Sequence, residues 1–286
     1  MQDSVTPNNK VTFNASESSK VPPAEGFREA YTLHLADTTL ILSQRNSEWC
    51  GHGPILEQDI AITNISLDLL GQARSFYQYA AQLINEKLQT AEAKVPPPVG
   101  GGFRGATENS LAYLRTEREF NNFLLVEQPN GDWAQTILRQ FLISNYQYYL
   151  YQYLQKNSDR TLAAIAEKSL KEVTYHLRWS SEWVIRLGDG TAESRHRMCK
   201  AIEELWRYTG ELFLPVAYEK ELEIDLSSLK EDWSKKVTDI FEEATLPEPE
   251  NVFMQTGGKT GTHTEHLGFM LTELQYVQRT YPGCEW

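Results

Sequence analysis

The chain has 286 residues, 41% hydrophobic and 11% aromatic, and its 39 Asp and Glu outnumber 27 Lys and Arg to give a formal net charge of −12. That apolar content builds a core rather than a disordered chain, and the acidity argues against nucleic acid and anionic membranes, both of which reward clustered Lys and Arg. Cys50, Cys199 and Cys284 are scattered and odd in number, so they suggest neither a disulfide framework nor a zinc site. The N-terminus has no secretory apolar stretch and no apolar run approaches the roughly 18 residues that span a bilayer, so a soluble cytoplasmic protein is expected.

Residues 1–26, rich in Ser, Asn, Thr and Pro, carry no periodicity and are expected to be a mobile tail, leaving 27–286 as a single helical domain. A first helix is predicted from Phe27 to Glu48, with Tyr31, Leu35, Thr38 and Leu42 on one stripe, stopped by Cys50-Gly51-His52-Gly53-Pro54. A long second helix runs from about Pro54, a favoured first helical residue, to Leu88; Leu56, Ile60, Leu67, Leu70, Phe76 and Tyr77 form its apolar face. The Pro- and Gly-rich stretch at about 94–106 reads as an exposed loop. Further helical patterns cover roughly 108–126, 132–156, 159–187, 192–218, 228–244 and 264–280. No segment alternates in the manner of a strand, so the fold class is all-α, a bundle of long helices with extra helices at the C-terminal end.

A bundle of this size raises the question of two irons. The usual ligand set is one carboxylate from each of two helices and Glu-x-x-His from each of the other two, enough negative charge to hold two cations in a low-dielectric core. Here the one literal match, Glu193 to His196, continues into Arg197, Lys200, Glu203 and Arg207, a solvated face, while Met198, Ile202 and Leu205 form the apolar one. Glu172 and His176 are better placed, but their spacing is i, i+4 and the i+3 residue is Tyr175; a histidine bonded to a carboxylate one turn away is sufficient explanation. On the second helix Asp68 has Gly71 where histidine is wanted, and glycine offers no ligand. Glu48, Asp68, Glu172 and His176 are thus the candidates for a remnant polar pocket, short of a di-iron set, and no metal ligand is assigned.

Other motifs carry less. Gly258-Lys259-Thr260 has the ending of a phosphate-binding loop but Phe253 where the first glycine belongs, and no strand precedes it. His263-Thr264-Glu265-His266 matches no zinc motif and sits where a helix starts, with Thr262 or Thr264 as its cap. Tyr146, Tyr148, Tyr149, Tyr151 and Tyr153 surround one helix; core packing is expected for most and contact with another subunit for some. No nucleophile elbow or catalytic cysteine signature appears.

Several long motifs together resemble one family. They are Leu40-Ile41-Leu42-Ser43-Gln44-Arg45, Glu48-Trp49-Cys50-Gly51-His52-Gly53-Pro54, and Leu67-Asp68-Leu69-Leu70-Gly71-Gln72-Ala73-Arg74. With them go Leu124-Leu125-Val126-Glu127-Gln128-Pro129-Asn130-Gly131, Tyr175-His176-Leu177-Arg178, and Thr256-Gly257-Gly258-Lys259 followed by His263-Thr264-Glu265-His266-Leu267-Gly268. From about Tyr31 to Trp286 the chain resembles the C subunits of phenylacetyl-CoA 1,2-epoxidases. The resemblance implies a ferritin-like fold and a non-catalytic, structural role beside a homologous A subunit that carries the di-iron centre. It also implies electrons from NADPH through a separate flavin and iron–sulfur reductase, no cofactor in this chain, and no catalytic residue to carry over. The first two helices, over about 34–80, are expected to supply much of the interface with the A subunit. The alternative is that the chain is itself a di-iron oxygenase with a degenerate ligand set.

Overall fold

The computed structural model describes residues 26–92, 105–281 and 284, so the predicted tail and most of the 94–106 loop lie outside the described residues. Among these are eleven α-helices and no strand: α1 (Phe27–Ser47), α2 (Leu56–Glu92), α3 (Glu108–Tyr113), α4 (Leu124–Glu127), α5 (Trp133–Leu154), α6 (Arg160–Gly188), α7 (Ala192–Leu205), α8 (Ala217–Glu221), α9 (Leu226–Glu243), α10 (Glu265–Leu274) and α11 (Tyr276–Thr280). Side-chain caps start several of them: Asp132 accepts from Gln135 N, Asp159 from Thr161 N and Leu162 N, and Thr191 and Ser194 form a capping box. Asp225 caps α9 in the same way.

Four long helices make the bundle. α1 packs along α2, α5 along α6, and α2 against α6, while α7 and α9 cover α5 and α8 covers α1. The α1–α2 pair is antiparallel, as the Ser43 hydroxyl bonding to the Ser66 carbonyl (2.7 Å) and the Tyr77 hydroxyl bonding to Asp37 (2.6 Å) show. Both α1 and α5 are buried almost all round. Tyr31, Leu35, Thr38 and Leu42 are therefore not a single stripe: His34, Asp37, Thr39, Leu40 and Ile41 on the other sides of α1 are buried as well.

The structure corrects five sequence expectations. On α2 the covered face is Ile62, Ile65, Leu69, Ala73, Phe76, Tyr77 and Ala80, whereas Leu56, Ile60, Leu67 and Leu70 face outward. Both sets repeat at helical spacing, so periodicity alone picked the wrong one over the first half of the helix. Pro54 lies in the preceding bend and α2 begins at Leu56. The predicted 108–126 helix breaks after Tyr113, because the Arg115 guanidinium turns to Asp37, Thr116 caps a single 3₁₀ turn at Glu117–Glu119, and Asn121 N donates to Asp37 (2.9 Å). The 192–218 pattern ends as a helix at Leu205 and continues as 3₁₀ turns at Trp206–Tyr208 and Gly210–Phe213 before Pro215. At the other end, Gln275 divides the predicted 264–280 helix into α10 and α11.

The tyrosines of α5 divide between core and surface. Tyr146 and Tyr151 are buried, Tyr148 and Tyr149 pack partly buried against the core, and Tyr153 is exposed, its hydroxyl bonding to the Glu223 carbonyl (3.1 Å). No helix among the described residues is long and apolar enough to cross a membrane.

Candidate functional site

Three of the four pocket candidates meet where α2 crosses α6. His176, fully buried, has Nε2 3.0 Å from Asp68 Oδ2; one turn along, Gln72 Nε2 donates to Glu172 at 2.8 Å. Glu172 lies close enough to Tyr151 that, after burial, its charge is the next cause holding that hydroxyl far above its ordinary value. Glu48 is elsewhere: at the end of α1 it is exposed, pairs with Arg45 (2.9 Å) and accepts from Asn130 (2.8 Å). The i+3 positions that a di-iron bundle fills with histidine, Gly71 and Tyr175, both face outward.

The centre of the bundle is instead lined by neutral hydrogen-bonding groups. Asn46 of α1 donates to Gln140 of α5 (2.6 Å), Gln140 donates to Ser144 (2.8 Å), and the Ser43–Ser66 bond joins α1 to α2. Asn46, Gln140, Ser144, Ser43, Ser66 and Gln72 are all buried. Asp68 and Glu172, the carboxylates near this layer, are each held by one partner, and among the described residues no three His, Cys, Asp or Glu side chains converge on a common point. This donor set does not fit two irons, which need several carboxylates around them to balance their charge.

The literal Glu-x-x-His pair is on the surface of α7, where Glu193 bonds Arg197 (2.7 Å) and His196 is exposed. Beneath it Met198, Ile202 and Leu205 are buried.

The densest set of buried charges lies elsewhere, and it takes in Lys259, His263 and Thr264 from the two C-terminal motifs that the sequence reading set aside. It pins the irregular run 115–131 against the loop 255–264. Asp37 receives Arg115, the Tyr77 hydroxyl and Asn121 N. Glu127, with no exposed surface, accepts from Asn122 Nδ2 (3.0 Å) and Thr264 N (2.6 Å) and pairs with His263 (2.9 Å), whose other ring nitrogen is 2.9 Å from the Phe120 carbonyl. Burial alone would lower the His263 pKa, but the hydrogen bond and charge of Glu127 outweigh it and hold it above the ordinary value. Thr264 thus stands at the N-cap of α10 by position, while the bond at this terminus runs from its N–H to Glu127 rather than from its hydroxyl.

Glu211 accepts from Leu124 N and Gly257 N, both at 2.8 Å, and burial raises its pKa despite these donors. Lys259, the lysine of the loop that resembles a phosphate binder, is buried against Glu219 at 2.8 and 2.9 Å and also donates to the Leu214 carbonyl (3.0 Å). It faces inward, so no phosphate reaches it. Gly258 is required here by close approach: a Cβ would lie 2.3 Å from the Asn122 carbonyl oxygen. Nearby, His34 is buried with Nδ1 donating to the Asn121 carbonyl (2.6 Å), and burial followed by the Lys259 charge lowers its pKa to about 3. Arg139, also fully buried, donates to the Gln128 (2.7 Å) and Pro129 (3.2 Å) carbonyls and fixes the turn into α5.

The helix order and bundle packing define an all-helical, ferritin-like protein whose central layer, among the described residues, is spanned by neutral hydrogen bonds. The chain belongs to the family of phenylacetic acid catabolic proteins, whose model matches residues 20–286. It is 47% identical over 262 residues to the C subunit of 1,2-phenylacetyl-CoA epoxidase from Escherichia coli (strain K12), covering 90% of this chain and 98% of that one.

Proposed function

We propose that the chain is the non-catalytic, structural member of a multicomponent phenylacetyl-CoA epoxidase in aerobic phenylacetate breakdown. It pairs with a homologous A subunit and stabilises it; that partner holds the di-iron centre where O₂ is activated, and electrons arrive from NADPH through a flavin and iron–sulfur reductase. The observation that carries this reading is the central layer of the bundle. Asp68 and Glu172 are each tied to a single neighbour, Glu48 lies outside the layer, and Asn46, Gln140, Ser43 and Ser144 span the middle with neutral bonds.

The pairing surface on this reading is the outward face of α2. The sequence expectation of 34–80 narrows accordingly, because α1 is buried and has little surface to offer. Five exposed apolar side chains, Ile55, Leu56, Ile60, Leu67 and Leu70, lie on this stretch, and contiguous apolar surface of this kind marks interaction sites. Covering it with the partner's long helices would brace the iron-bearing helices of the A subunit without any chemistry in this chain.

The test is a reconstituted complex. Asp68→Asn, Glu172→Gln and His176→Gln, singly and combined, are expected to leave epoxidation turnover within about twofold of the parent, as residues outside the reacting site do. Leu67→Arg is expected to abolish co-purification of the A subunit. Loss of turnover by several orders of magnitude in the combined Asp68, Glu172 and His176 variant, with the complex still assembled, would favour the second reading, a di-iron oxygenase with a degenerate ligand set.

A further inference from the structure

The outward face of α2 has a second property. Its exposed positions Glu57, Ile60, Asn64, Leu67, Gly71 and Arg74 are spaced by three and four residues in alternation, the spacing of a helix–helix seam, with Ile60 and Leu67 its apolar members. Leu56 and Leu70 run beside that seam. Exposure is 71% at Leu56, 51% at Ile60, 60% at Leu67 and 43% at Leu70. Gly71 interrupts a helix of 37 residues, where glycine costs about 1 kcal/mol relative to alanine. Among the described residues nothing outside its own helix backbone lies within 4 Å of where its Cβ would be, so packing among them does not explain it.

The seam is complementary to itself when two copies run antiparallel. With the two-fold axis midway between Asn64 and Leu67, Asn64 faces Leu67 of the other copy and Ile60 faces Gly71, an apolar knob against an open backbone. Glu57 faces Arg74 at both ends. Arg74 is 70% exposed and only 3.7 Å from Glu108 in its own chain, and Glu57 has no ion-pair partner among the described residues. The exposed apolar side chains Leu56, Ile60, Leu67 and Leu70 lie along about four turns of the helix. We infer that α2 is a self-complementary docking helix through which two copies of this chain form an antiparallel dimer about Asn64 and Leu67 when no other protein covers it.

This inference shares its face with the proposed pairing to the A subunit but is measured on the full chain alone. Sedimentation equilibrium in 0.15 M salt is expected to show a species of twice the 32.8 kDa chain mass. Leu67→Arg is expected to give monomer whose urea midpoint equals that of the parent diluted below its dimer dissociation constant, since the residue is exposed in the single chain. Glu57→Lys and Arg74→Glu should each weaken the dimer roughly tenfold, and the double variant should recover most of that loss, because the charges then meet with signs exchanged. The register is read by oxidation in a background with Cys50 and Cys284 replaced by serine. Ile60→Cys with Gly71→Cys in one chain should cross-link two copies, whereas neither cysteine alone should, the two equivalent positions lying about 16 Å apart along the helices.

A parent chain that stays monomeric, or single cysteines that cross-link as well as the pair, would overturn the inference. A self-dimer that fails to capture the A subunit would instead sink the pairing reading and leave this one standing.

Discussion

Two polar regions of the molecule invite comparison. At the α2–α6 crossing, where a ferritin-like oxygenase keeps its metal, the side chains make isolated pairs: Asp68 with His176 and Gln72 with Glu172, with Asp68 still 38% exposed. At the junction of 115–131 with 255–264, Glu127, Glu211, Glu219, Lys259 and Asp37 are buried and each is bonded by two or more groups. A charge removed from water demands several partners to hold it, and only the second region supplies them. The electrostatic investment of this fold holds non-helical backbone in place, and the bundle centre is left with hydrogen bonds that neutral residues can satisfy.

That contrast can be broken by mutation, beginning with the buried pair. Glu219→Ala leaves the Lys259 ammonium buried without its carboxylate and is expected to cost about 3–5 kcal/mol in urea unfolding. Glu219→Leu combined with Lys259→Met should recover most of it, since the site then has no charge to compensate. A loss below about 1 kcal/mol for the single variant would show that the junction is not the anchor described here.

The next largest effect is on pH dependence. His34 has a folded pKa of about 3 against an unfolded value of 6.5, so between those values the unfolded chain binds a proton that the folded chain refuses. Its contribution is present above pH 6.5 and is lost as pH falls, by about 1.4 kcal/mol per pH unit in the middle of the window. His34→Gln keeps a donor for the Asn121 carbonyl and should flatten the stability curve between pH 6 and pH 4. His263 works in the opposite sense: its folded pKa is raised, so its contribution is full below the unfolded value and fades as pH rises through the folded one. A His263→Gln variant should therefore lose more stability at pH 6 than at pH 8, beyond the cost of the altered bonds.

The smallest effects belong to the bundle crossing and to Glu48, which lies outside it at the end of α1. Asp68→Ala is expected to cost about 1 kcal/mol, because it removes a single hydrogen bond, to His176, from a side chain that is partly solvated. Glu48→Gln, on an exposed side chain, should leave thermal stability unchanged within measurement. A large loss at either position would merge the two regions and end the contrast.

The sequence carried the helices well because their caps are local: Asp132, Asp159 and Thr191 sit directly before the runs they start. The sidedness of α2 was not legible, since apolar residues repeat on both of its faces and periodicity does not say which face the rest of the chain covers. The buried charge network was invisible for a different reason. Glu127 and His263 are 136 residues apart, Glu219 and Lys259 are 40 apart, and each looks like an ordinary surface residue in its own segment. One signal was present: Gly257, Gly258 and Gly261 crowd a short loop, and glycine at such density marks backbone that approaches other backbone closely. At the bundle crossing the sequence brought Asp68, Glu172 and His176 to one place, while Glu48 was drawn in by its position near the end of α1, where the helix has already turned it toward Arg45 and Asn130.

The most direct test of a structural, non-catalytic role is iron content, measured by elemental analysis on the isolated chain and on its complex with the A subunit. The account predicts less than about 0.2 iron per chain alone and roughly two per heterodimer in the complex, the complement of a di-iron site. Near-stoichiometric iron in the isolated chain, lost on replacing Glu172 and His176, would contradict it.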